Sequence, residues 1–168
     1  MKKVLLTIEG MTPDQKAFQY AVDLCKRIRA ELDIFQIIRP RYYRDYMKFF
    51  RKKTLIARRF VQGSMMAATF AEAGEHETAL DIIAEASKQI KQFLSESEKA
   101  GVQCRFSMAS GNPEKEIINY VNDHRDVVLT IYDASDQDIR RTTGISKKKN
   151  SLEKIKKNLS VPLVTVYR

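Results

Sequence analysis

Tryptophan is missing from the 168 residues, and cysteine, histidine, proline and glycine are scarce, at two, two, four and six. Each shortage excludes something. Cys25 and Cys104 lie far apart with no CxxC and no Cys/His cluster, so neither a disulfide framework nor a zinc site is written here. Both thiols read as buried packing residues of a reduced interior. His76 and His124 have no nucleophile or metal ligand beside them in sequence and read as ordinary surface residues. Walker A, GxGxxG, GxSxG and HExxH patterns are all absent, which leaves no positive case for enzyme chemistry.

Long apolar runs are missing too. The apolar stretch after the opening lysines, Val4 to Ile8, is shorter than the roughly 7 to 15 residues of a signal-peptide core. Nothing approaches the roughly 20 apolar residues of a membrane span, so the expected location is the cytoplasm.

What is present fits one globular domain over residues 1–168: 43% hydrophobic and 30% charged residues. Net charge is +9, unevenly spread. Residues 39–62 hold nine Lys or Arg against one Asp, and residues 140–157 hold eight against one Glu, so the rest of the chain is acidic. Two basic segments on an acidic body favour a local binding surface over a uniformly basic nucleic-acid binder.

Five short runs rich in β-branched and aliphatic residues recur: Val4 to Ile8, Leu32 to Ile38, Val102 to Met108, Val127 to Tyr132 and Leu163 to Tyr167. Between them lie helical stripes built on Ala17, Ala21, Leu24, Cys25 and Ile28, then on Ala79, Leu80, Ile83, Ala86, Ile90, Phe93 and Leu94, then on Ile117, Ile118 and Val121. Thr12-Pro13, Asn112-Pro113 and Asn150-Ser151 read as helix starts, and Gly101 as the stop of the long helix. Strands alternating with helices predict an α/β fold, a doubly wound five-stranded parallel sheet with helices on both faces. Ligands of such sheets bind outside the carboxyl ends of the strands, where strand order reverses. The first strand ends at Glu9-Gly10 and the fourth at Tyr132-Asp133, so the loop "ASDQD" would lie on the site if those strands are neighbours.

"VLLTIEG", Gly111-Asn112-Pro113 and the closing "VPLVTVYR" stand in the order of motifs in universal stress proteins, and the chain resembles that family over nearly its whole length outside residues 40–75. The resemblance implies a Rossmann-like fold and a homodimer paired through the last strand, here Leu163, Val164, Thr165, Val166 and Tyr167. Nucleotide-binding members carry Gly-x2-Gly-x9-Gly-Ser/Thr after the fourth strand, because backbone must approach phosphate without a Cβ in the way. Here the first two glycine positions fall on Ile131 and Ala134, and Gly144 is followed by Ile145. Asp133, Asp136 and Asp138 would face the phosphates, each like charge costing on the order of 1 kcal/mol even when screened. Glu9 stands where binders have an aspartate touching the nucleoside, Thr7 replaces a frequent proline, and Ile38 falls where binders pack the adenine ring. The implied pocket of Thr7, Glu9, Ile38, Gly111, Ile131, Ala134 and Gly144 is therefore vestigial, with no cofactor expected; ATP with Mg2+ on an altered phosphate site is the alternative.

Residues 39–60 interleave six of the fifteen aromatic residues with nine cations. Spacings of three and four dominate, which fits an amphipathic helix or two, and the insertion spans about 40–75. Arg41, Arg44, Lys48, Arg51, Lys52, Lys53, Arg58 and Arg59 are its candidate partner-binding residues. Four readings remain open: a solvated helical flap, an anionic lipid surface, a nucleic-acid surface and an acidic protein partner. Residues 140–149 read as a basic loop, in which Thr142, Thr143 and Ser146 are candidate phosphorylation sites.

Overall fold

The computed structural model describes residues 1–9, 14–38, 77–133 and 145–167, the side chains of 77–86 and 145–150 excepted. Its elements run β1 (Lys3–Glu9), α1 (Gln15–Ile28), β2 (Glu31–Ile38), α2 (Glu77–Lys99), β3 (Cys104–Ser110), α3 (Pro113–Asp123), β4 (Val127–Asp133), α4 (Ile145–Asn158) and β5 (Leu163–Val166). The strands form one sheet in the order β3-β2-β1-β4-β5, with every neighbouring pair parallel. Near-continuously apolar strands demand cover on both faces, and they receive it.

Alternation along each strand divides the core in two. Val4, Leu6 and Ile8 of β1, with Leu32, Ile34 and Ile38 of β2, pack against Phe18, Ala21 and Cys25 of α1 and Ile90 and Phe93 of α2. Leu5, Phe35, Ile37 and Tyr132 turn to the other face, where Ile117 and Val121 of α3 and Ile155 of α4 cover them. Phe18 and Phe93 stack with ring centroids 4.1 Å apart, joining the two helices on the first face.

Local signals set most boundaries and yield at a few. Asn112 caps α3, its side chain accepting from Glu114 N and Lys115 N with Pro113 at the first turn. Gly101, at φ +75°, closes α2: its N–H donates to Glu98 O and that of Val102 to Ser97 O, as in a Schellman turn. That closure delays β3, which starts at Cys104 rather than at Val102. The expected start of α1 at Thr12-Pro13 is corrected: the helix begins at Gln15, and Asp14 occupies the N-cap position. The expected cap at Asn150 is corrected as well, because α4 already runs from Ile145. Leu152, Ile155 and Leu159 hold that helix on the sheet, and packing outweighs a local capping signal.

Residues 40–75, with all eight candidate cations of the insertion, lie outside the described residues, as do Ala134, Gly144, Asp136, Asp138, His76 and residues 140–143. Among the described residues, no helix is long and apolar enough to cross a membrane.

Candidate functional site

Strand order places the topological switch between β1 and β4: β2 and β3 extend the sheet to one side of β1, and β4 and β5 to the other. Ligands of doubly wound sheets lie at the carboxyl ends of the strands at such a point. Here those ends are Glu9 and Asp133, with Ile8 and Asp133 register partners and the start of α1 directly above.

The polar groups at this point engage one another. The Tyr132 hydroxyl donates to Glu9 Oε1. On the opposite side of β4, Asp133 Oδ2 accepts the backbone N–H of Asp14 at 3.1 Å. A carboxylate from the sheet thus satisfies one of the N–H groups that helix starts leave open, in the position where a helix start would otherwise attract an anion. Asp14 makes no side-chain cap of its own, and Asp133, 119 residues away, accepts the N–H of that N-cap residue. Burial pushes the Tyr132 hydroxyl far above the usual phenol range, and the neighbouring Glu9 and Asp133 carboxylates push it further. It is a fixed donor.

Of the pocket residues expected from sequence, the structure turns several into core. Thr7 is fully buried, its hydroxyl donating to Ile131 O at 3.2 Å, so that side chain ties β1 to β4. Ile131 and Ile38 both lie in the core facing α1 and α2. Among the described residues of the set, Glu9 alone is half-buried at the switch point. Gly111 follows β3, the far edge of the sheet, two strands from β1. Its φ of +155° is a backbone conformation that residues with a Cβ rarely adopt, a reason for glycine that involves no ligand.

Sequence reading missed one residue of the site and, away from it, one at the amino ends of the strands. Tyr132 read as the last residue of a core strand, and nothing in an apolar run reveals that one hydroxyl will reach Glu9. His124 read as a surface residue; its ring is half-buried and stacks on Tyr120 at 4.0 Å. Cys25 is buried as expected, whereas Cys104, on an edge strand, is only partly so.

The proposed dimer edge is in place as a strand. β5 pairs with β4 from Thr130↔Leu163 to Asp133↔Val166 and is the last strand on its side of the sheet. Leu163, Val164, Thr165 and Val166 are half-exposed, and Tyr167 just beyond is 70% exposed.

No family model matches the sequence, and no curated protein matches it. Solved structures do match over the whole chain. Universal stress protein UspA from Lactobacillus plantarum is 11% identical, with a TM-score of 0.59 over 98% of this chain and 97% of that one. The universal stress protein from Archaeoglobus fulgidus, solved in complex with dAMP, is 8% identical with a TM-score of 0.53 over 98% and 97%. A universal stress protein family protein from Arabidopsis thaliana, with AMP bound, is 14% identical with a TM-score of 0.52 over 100% and 92%. At such identities the shared property is the fold, which for this chain is that of the universal stress proteins.

Proposed function

We propose that this chain is a universal stress protein-like regulatory module of the cytoplasm that acts through protein interaction as a homodimer, with ATP binding lost or weakened and no enzyme activity. The observation that carries this reading is the hydrogen bond from Tyr132 to Glu9. The one acid that stands where a nucleoside would be met is held by a buried hydroxyl of the same chain. A ligand hydroxyl would have to replace that bond, and removing a buried donor from its partner costs about 1 to 3 kcal/mol. Asp133 adds a negative charge beside the phosphate side of the switch point. The sequence adds the absence of glycine at positions 131 and 134.

A dimer paired through β5 would bury the half-exposed edge that otherwise invites unwanted strand pairing. Replacing Thr165 with proline removes a ladder donor there, and sedimentation should show a shift from dimer to monomer.

Calorimetric titration of MgATP tests the reading, on protein first checked by mass spectrometry for carried-over nucleotide. No heat at millimolar ATP and no carried-over ligand support an interaction module. Micromolar binding overturns the lost site and favours the second reading, a nucleotide-responsive switch. That second reading has support of its own: structural neighbours were solved with dAMP and AMP.

A further inference from the structure

Lys3, Asp33, Tyr120, His124 and Asp126 form a second polar cluster, near the amino ends of the strands and away from the switch point. Asp33 sits within β2, in the run "ELDIFQII", and its side chain is only 4% exposed. It faces α3, where the Tyr120 hydroxyl donates to its Oδ2 at 3.1 Å. The same oxygen lies 3.8 Å from Lys3 Nζ, whose closer partner is Asp126 Oδ2 at 2.7 Å. Asp33 Oδ1 is buried and has no hydrogen-bond partner.

An ionised carboxylate offers about four acceptor sites, and each left buried and unmet is unfavourable. Asp33 as an anion would have one hydroxyl donor and one distant ammonium, which it shares with Asp126. We propose that Asp33 is a proton-binding group coupling the docking of α3 on the sheet to pH, with the neutral acid as the form that packs best. Proton uptake leaves Lys3 to Asp126 and removes the uncompensated anion from beneath Tyr120. Tyr120 is the lever: its ring lies 4.5 Å from that of Phe35 and 4.0 Å from that of His124, so one side chain joins β2 to the end of α3.

The surroundings oppose one another in a definite order. Burial raises the Asp33 carboxyl above its usual range; Lys3 from β1, the Tyr120 hydroxyl, Arg105 from β3 and His124 at the C-cap of α3 pull it back without cancelling that effect. The thiols of Cys25 on α1 and Cys104 on β3 also sense the Asp33 charge, and Glu31 on β2 faces Arg105 at 3.8 Å. With its folded midpoint raised, Asp33 adds stability that is fully present below the ordinary value of 3.8 and is lost as pH rises through the folded midpoint. Asp126 behaves oppositely: its carboxyl is lowered by the Lys3 bond, so its contribution is lost only as pH falls below 3.8. The two windows do not overlap.

The test is a carbon-detected NMR titration of the Asp33 side-chain carboxyl in the full chain. The expected result is a midpoint above 3.8, followed by the Tyr120 and His124 signals, and a further rise in Tyr120→Phe, which removes a donor from the charged form. A midpoint at or below 3.8, or one that Tyr120→Phe leaves in place, overturns the proposal. Urea unfolding of Asp33→Asn supplies a second readout: its stability should change less with pH above 3.8 than that of the parent, and equal slopes overturn the proposal. If Asp33→Asn does not fold, the carboxyl titration alone decides.

Discussion

Asp133 Oδ2 lies 3.1 Å from the backbone nitrogen of Asp14, so the last residue of β4 holds the start of α1. The bond crosses the switch point and fixes the first helix with a charge that a ligand anion would otherwise meet. Replacing Asp133 with alanine removes that acceptor and should destabilise the fold by about 1 kcal/mol, the usual net worth of a hydrogen bond. Asp133→Asn, which keeps an acceptor, should recover most of it. Urea denaturation of the two variants gives the comparison.

Tyr132→Phe removes only the hydroxyl that engages Glu9. It should lower stability by about 1 kcal/mol and leave the fold intact. With Glu9 released, adenosine binding measured by calorimetry should strengthen relative to the parent. Unchanged or weaker binding would mean that the hydrogen bond does not guard the site.

The stack of Phe18 on Phe93 joins α1 to α2 beneath the sheet, and both rings are almost fully buried. Phe93→Ala should cost about 3 to 5 kcal/mol, the range for a large core side chain that leaves a cavity. Thermal unfolding should show it as the largest loss among these variants.

Burial raises the Cys25 thiol to about 12, with the Asp33 charge adding to the effect, and burial likewise raises Cys104 to about 12. Thiolate is the reactive form, so neither should react readily with iodoacetamide at pH 8 in the native protein. Both should alkylate in denaturant. Fast native labelling at Cys104, on its edge strand, would show that β3 opens.

Asn112→Ala tests a signal that was legible without coordinates. Its side chain accepts from Glu114 N and Lys115 N, and losing it should cost about 1 kcal/mol in urea denaturation.

The five-stranded α/β architecture was readable because β-branched runs and helical stripes impose different periods on the chain, and burial on both faces makes the central strands β1 and β2 rich in apolar residues. The caps at Asn112 and Gly101 were readable because they depend on neighbours within a few residues. The same local reading misplaced Thr12 and Asn150. For α1 the N-cap residue Asp14 is held by Asp133 of β4, and for α4 the packing of Leu152 and Ile155 overrides the nearby polar pair.

Sequence by itself determined the alternating fold, the missing glycines at Ile131 and Ala134 and the basic segments, all properties of residue type and spacing. Only the tertiary structure decided what the polar residues among those strands touch. Parallel pairing of β1 between β2 and β4 brings Glu9 to Tyr132, Thr7 to Ile131 and Lys3 to Asp33, over separations that carry no periodic signal. A buried polar group must find its partner in space, and that partner is chosen by strand order rather than by nearness along the chain.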